Sequence, residues 1–203
     1  VIVTATKRET NLHDTAIAVS AFSSDMLETL NIRNGLDYEA LVPSLTFQGT
    51  IPLQVSIRGI GRFSQSLGVN PGVAIYNDGI YQAEVTSTGS NPMNTQRTEI
   101  LRGPQGTLYG RNTTGGAVNI ITKRPTEEFS ADLRARVGNY GLVDLGGIIS
   151  GPITDSLRAK LYIQDTERDG LVDNDAGPDL NTLNSTFYEA SIEWDITEKA
   201  QLW

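Results

Sequence analysis

The chain is predicted to join two folds: an α+β unit (a small mixed sheet with short helices), followed by antiparallel strands of an incomplete transmembrane β-barrel. Three observations predict this. The stretch from Arg102 to Thr122 carries Gly103, Gly106, Gly110, Gly115 and Gly116, a spacing that lets the backbone pass from loop to short helix to strand where side chains would obstruct it. Beyond residue 128 the pattern changes to alternating apolar and polar residues, as in strands with one wet and one apolar face. No run approaches the roughly 18 apolar residues of a transmembrane helix, so any crossing of a bilayer must use strands.

In chain order, residues 1–124 read as the α+β unit and residues 125–203 as the strand unit. The polar, proline-bearing stretch Lys123 to Glu128 is the natural boundary. Val1 to Ala5 is β-prone and suits a first strand. Asp25 followed by Glu28 predicts a helix N-terminus with a capping-box carboxylate leading into Met26, Leu27 and Leu30. Asn34, Leu36, Ala40 and Leu41 repeat that pattern until Pro43 stops it. The strand-like pieces are Ala16 to Ala21, Val55 to Arg58, Val73 to Tyr76 and Ala117 to Thr122.

In the second unit, Phe129 to Val137 places an apolar residue at every odd position. Leu157 to Gln164 does the same, and Tyr188, Ala190, Ile192 and Trp194 alternate with Glu189, Ser191, Glu193 and Asp195. A water-soluble antiparallel sheet would show this alternation too. Strand length near the roughly 9–11 residues needed to span favours the barrel, as does the contrast between short turns at Gly151 to Ser156 and Asp195 to Lys199 and the long polar segment Asp165 to Ser185. Gly138 to Gly141, with Tyr140, must then be an unusually short outer loop. The chain ends inside a fifth strand.

Composition removes several function classes. With Lys+Arg 16 against Asp+Glu 24, the net charge of −8 lacks the clustered positive charge a nucleic-acid partner requires. Cys 0 removes disulfides, thiolate metal sites and cysteine nucleophiles, and the single His13 cannot build a histidine-rich metal centre. No metal or cofactor is expected. An enzyme ranks last, because His13 stands far from paired carboxylates and no Gly-x-Ser-x-Gly elbow is present. Asp173 to Asp179 clusters oxygen ligands, but its glycine falls one place early for an EF-hand and no bidentate Glu follows at the required spacing, so a solvated acidic loop is expected. No basic segment followed by an apolar run marks an export signal.

Five pieces stand in the order of a known family: Val1 to Ala5, Ser56-Ile-Arg-Gly59, Tyr76-Asn-Asp-Gly-Ile80, Glu99 with Arg102-Gly-Pro104, and Leu108-Tyr-Gly110 with Gly115 to Thr122. On these the chain resembles the TonB-dependent outer-membrane receptors, and residues 1–124 resemble their plug domain. Thr98 departs from the family, which usually carries an aliphatic residue there.

The resemblance implies an outer-membrane transporter for a scarce, bulky nutrient, most readily a ferric siderophore, with cobalamin or an oligosaccharide as alternatives. A non-transporting soluble binding or adhesion domain is the competing class. A barrel that holds a plug needs about 22 strands, so the strand unit is expected to be the truncated beginning of one. The resemblance also implies that Val1, Ile2, Val3, Thr4 and Ala5 overlap the box that meets TonB by strand addition, and that Arg58, Glu99 and Arg102 belong to a plug–barrel clamp. For the two arginines, carboxylates beyond Trp203 are the implied partners, and a local pair with Glu99 is the alternative. The loops carrying Arg62, Phe63, Gln65, Tyr81 and Gln82 are implied to meet the ligand, through one cation, aromatic faces and amides. The implied partners are TonB, outer-membrane lipid and an extracellular iron–siderophore complex.

Overall fold

The computed structural model describes residues 2–4, 10–11, 15, 17–33, 35–48, 54–61, 70–82, 92–172, 174, 177, 179–197 and 200–202. The chain divides into two compact units, Val1–Lys123 and Arg124–Trp203.

The first unit begins with β1 (Ile2–Val3) and β2 (Thr10–Asn11), a two-residue antiparallel pair. After β3 (Val19–Ser23) comes α1 (Ser24–Thr29). Its cap is Ser23, whose hydroxyl accepts from the Met26 N–H at 3.4 Å, while Asp25 lies in the first turn. The expected Asp25 cap is thus displaced by two residues, because the serine oxygen already satisfies the helix-start amide. The expected second helix shrinks to a 3-10 turn, Gly35–Tyr38, where Asp37 accepts from the Arg33 N–H at 2.6 Å. Asn34, its expected start, lies outside the described residues.

β4 (Leu45–Gln48), β5 (Gln54–Ile57) and β6 (Ile60–Gly61) make a three-stranded antiparallel sheet. The main sheet takes β7 (Val73–Asn77), β8 (Ile80–Gln82), β9 (Thr95–Arg102) and, past the four-residue α2 (Gly106–Tyr109), β10 (Gly116–Thr122). Its order is β3-β9-β10-β7-β8, with β10 parallel to β7 and the other neighbours antiparallel. Asp78 and Gly79, both at positive φ, turn β7 into β8. The Asp78 carboxylate accepts from the Thr122 N–H at 2.9 Å and its hydroxyl at 2.8 Å, tying that turn to the end of β10.

Both sheet faces are covered. One carries the larger core, including Phe22, Leu27, Tyr38, Ile57, Ile75, Ile100 and Val118. The other carries Val3, Ala21, Ala74, Tyr76, Leu101, Tyr109 and Ala117. Thr98 faces the larger core fully buried, and its hydroxyl oxygen accepts from the Tyr38 O–H at 2.9 Å. Tyr38 thereby supplies the partner that a hydroxyl needs in an apolar setting.

The second unit is one antiparallel meander: β11 (Ser130–Val137), β12 (Val143–Thr154), β13 (Leu157–Arg168), β14 (Leu183–Thr197) and β15 (Ala200–Leu202). The expected loops are shorter than the sequence suggests: β14 runs to Thr197, through the start of the turn expected at Asp195 to Lys199. β12 runs through Gly151 and Pro152 to Thr154 with a register shift between Pro152 and Thr154, leaving Asp155 and Ser156 as the turn. Proline is tolerated there because a bulge does not require its missing ladder donor. Likewise β13 extends to Arg168 and β14 begins at Leu183, so the long polar segment contracts to residues 169–182. Tyr140 and Gly141 make the turn between β11 and β12 at positive φ.

Candidate functional site

The two faces of the meander have inverted burial. Register places Leu133 opposite Gly147, Ile149 opposite Leu161, and Leu161 opposite Ala190, so the odd-numbered apolar residues of β11 to β13 share one face with Tyr188, Ala190, Ile192 and Trp194 of β14. That face is exposed: Leu133 is 83% accessible, Leu161 54% and Ile192 60%. On the opposite face Asp144, Lys160, Tyr162 and Glu193 are buried. Its charges are paired, Lys160 with Glu189 at 2.9 Å, Arg136 with Asp144 at 2.9 Å, and Arg158 with Asp195 at 2.8 Å and Glu193 at 3.5 Å. Water would select the reverse arrangement. Hydrocarbon around the apolar face accounts for it, since a lipid-facing strand surface is apolar and the other face polar. No helix among the described residues is long and apolar enough to cross a membrane.

In the first unit a charged cluster surrounds Glu99, which is fully buried. β9 alternation puts Arg97, Glu99 and Leu101 on the face that β1 covers. Glu99 Oε1 accepts from the Thr4 N–H at 2.7 Å, the Thr4 hydroxyl at 3.2 Å and Arg97 Nε at 2.8 Å. Arg97 Nη2 donates to Thr4 Oγ1 at 3.1 Å, and the Tyr109 hydroxyl to the Thr4 carbonyl at 3.5 Å. Tyr76 donates its hydroxyl proton to the Tyr109 carbonyl, and the two rings meet edge-on with centroids 5.2 Å apart. Burial, with Glu99 and then Tyr76 adding to it, pushes the Tyr109 phenol up to about 12. Burial first, and Tyr81 second, raises Tyr76 above the ordinary phenol value.

Of the residues implied to meet TonB, Ile2 and Val3 form β1, Val3 is fully buried, Thr4 is bonded to Glu99, and Val1 and Ala5 lie outside the described residues. Of the clamp residues, Arg58 is exposed at positive φ. Arg102 is half-buried, and its Nε lacks a hydrogen-bond partner among the described residues. Glu99 is paired with Arg97. Arg97 and Tyr109 join this cluster without having been among the implied site residues, although Tyr109 stands in the Leu108-Tyr-Gly110 motif. Arg97 was legible as the residue two before Glu99, on the same face of a strand.

Of the residues implied to meet a ligand, Arg62, Phe63 and Gln65 lie outside the described residues, as does His13. Tyr81 accepts a hydrogen bond at its hydroxyl from Asn112 Nδ2 at 3.1 Å and packs edge-on against Tyr76. Gln82 donates to the Ile80 carbonyl at 3.2 Å. Among the described residues no group of three or more His, Cys, Asp or Glu could hold a metal ion.

A mixed plug-like sheet, followed by strands with an exposed apolar face and a charged opposite face, defines a class of outer-membrane β-barrel proteins with an N-terminal plug. The model of the TonB-dependent Receptor Plug Domain family matches residues 11–117, and the chain belongs to the TonB-dependent receptors of the bacterial outer membrane. It is 37% identical over 103 residues to the pesticin receptor of Yersinia pestis, covering 51% of this chain and 15% of the relative. It is 27% identical over 183 residues to the iron-regulated outer membrane virulence protein of Vibrio cholerae, covering 83% of this chain and 28% of that protein. Among solved structures, the ferric yersiniabactin uptake receptor of Yersinia pestis superposes with a TM-score of 0.78 at 26% identity, covering 88% of this chain and 29% of that one. The chain thus spans less than a third of each of these proteins. Two of these three, the pesticin receptor and the ferric yersiniabactin uptake receptor, are receptors by name.

Proposed function

We propose that these residues are the plug and first barrel strands of a TonB-dependent transporter that takes up a ferric siderophore. The observation that carries the reading is the likeness to a ferric-siderophore uptake receptor across 88% of the chain, through both units. Its mechanism breaks no bond. The plug closes the barrel, external ligand meets the plug loops that carry Arg62, Phe63, Gln65, Tyr81 and Gln82, and TonB pairs with Val1 to Ala5 by strand addition and displaces the plug. Backbone hydrogen bonds carry that pairing, which leaves the side chains little constrained. Arg58 and Arg102 steady the plug through barrel carboxylates, and the Arg102 Nε without a partner among the described groups is a donor such a carboxylate would satisfy.

The test is uptake of radiolabelled ferric siderophores, yersiniabactin among them, by cells whose only such receptor carries these residues. Uptake is expected to need TonB. Ile2→Pro is expected to abolish it while surface binding of the same siderophore persists, because proline removes a ladder donor from β1. Uptake at the wild-type rate in that variant would refute the assignment of the N-terminal strand.

A further inference from the structure

Strand addition at β1 meets an obstacle in this fold, because β1 is already paired with β2 and Val3 is buried in the face of the main sheet. We infer that Glu99, with Arg97 and Tyr109, forms a latch that holds Val3 and Thr4 docked on the sheet and sets how readily the N-terminal strand is released. The inference rests on the TonB reading for its purpose, but its geometry is independent of that reading.

The hold is concentrated at one residue. Among the described residues the β1–β2 ladder has two residue pairs, Ile2 with Asn11 and Val3 with Thr10, and so short a ladder gives little stability by itself. Thr4 adds what the ladder lacks. Its N–H and hydroxyl both donate to Glu99 Oε1, its hydroxyl oxygen accepts from Arg97, and its carbonyl accepts from Tyr109. With Arg97 Nε also on Oε1, the carboxylate, the guanidinium and the threonine hydroxyl form a closed ring in which each group bonds the other two. Hydrogen bonds to a charged group are stronger than neutral ones, so this ring outweighs the ladder.

The latch is also made to open. Glu99 Oε2 is buried without a hydrogen-bond partner among the described residues, and so is Oδ1 of Asn119, the residue opposite Glu99 in β10. A half-satisfied buried carboxylate carries a desolvation penalty. Withdrawing Val3 and Thr4 admits water to Glu99 and relieves that penalty, which offsets part of the lost bonding.

The test is hydrogen–deuterium exchange at residues 2–4 in the purified, detergent-solubilised receptor, with β10 amides as the control for an intact sheet. Glu99→Ala is expected to speed exchange at residues 2–4 by about tenfold or more, with residues 116–122 unchanged. Unaltered exchange at residues 2–4 in that variant, with β10 still protected, overturns the latch. If Glu99→Ala does not fold, Thr4→Val is read in its place. It removes the hydroxyl from the ring but keeps both charges, and unaltered exchange in it is equally fatal. Binding of the purified TonB C-terminal domain is measured in parallel and is expected to tighten by about the same factor, since the cost of release is removed. Faster exchange without tighter binding would leave the latch standing and overturn the TonB reading instead.

Discussion

Tyr109 joins the cluster around Glu99 to Tyr76 through its ring, its hydroxyl and its backbone carbonyl. Its ring packs in the face that β1 covers, its carbonyl accepts from Tyr76, and its hydroxyl points to Thr4. Because its phenol is pushed from 10.0 up to about 12, the folded state holds this proton more tightly than the unfolded state. The stability that follows is complete below pH 10 and is lost as pH rises from 10 to about 12, where only the unfolded chain ionises. Absorbance at 295 nm is expected to show one phenolate forming near pH 12 that Tyr109→Phe removes, together with part of the alkaline loss of thermal stability. Titration of all phenols near 10 would contradict the burial. At Tyr38 the expected effect is one of pairing. Tyr38→Phe removes the Tyr38 donor from the buried Thr98 hydroxyl and should cost about 1–2 kcal/mol. A denaturation cycle with Thr98→Val and the double variant is expected to show that the two changes are coupled, the double variant costing less than the sum of the single ones. Strict additivity would show that the bond is incidental.

Among the elements, β10 depends on a glycine that no other residue replaces. Gly116 sits at φ +153, and a Cβ there would stand 2.2 Å from the Leu101 carbonyl oxygen of the neighbouring strand. Gly116→Ala is therefore expected to cost on the order of 3 kcal/mol, read as a lower unfolding midpoint of the purified receptor, and an unchanged midpoint would mean that β9 and β10 yield easily. This backbone demand is why the segment from Arg102 to Thr122 was legible in sequence, along with the two-residue period of β11, β13 and β14. β9 was not legible, although it is central. Thr95 to Arg102 mixes polar and apolar residues on both faces, and the partners that make its polar residues tolerable are remote in sequence. Thr98 is bonded to Tyr38, 60 residues away, and Glu99 to Thr4, 95 residues away. The same distance hid the Thr4–Glu99–Arg97 ring, whereas the family motifs marked Glu99 without its partners Thr4 and Arg97. The helix start moved from Asp25 to Ser23 for a local reason, since Ser23, Ser24 and Asp25 all offer capping oxygens and sequence alone does not rank them.

On the scale of the whole molecule, the alternation of the second unit admitted two solvents. A sheet folded for water would turn Leu133, Ile149, Leu161 and Ile192 toward a covering layer and leave its charges wet. Instead these apolar residues are exposed, while Lys160, Tyr162 and Glu193 are buried on the other face. Residue direction, not composition, then decides what a substitution does. Leu161 lies within β13, between Ile149 of β12 and Ala190 of β14, well inside the apolar face. Leu161→Arg would place a charge in hydrocarbon, at a cost of about 2–4 kcal/mol near the bilayer midplane. Asp132→Arg puts the same guanidinium on the opposite, polar face of β11, where it meets water and other charges. The expected outcome is a marked fall in the heat-modifiable, folded receptor recovered from outer membranes for Leu161→Arg, and near wild-type recovery for Asp132→Arg. Equal recovery of the two variants would mean that lipid does not cover the odd-numbered face, and the exposed apolar surface would then require a protein partner in place of the bilayer.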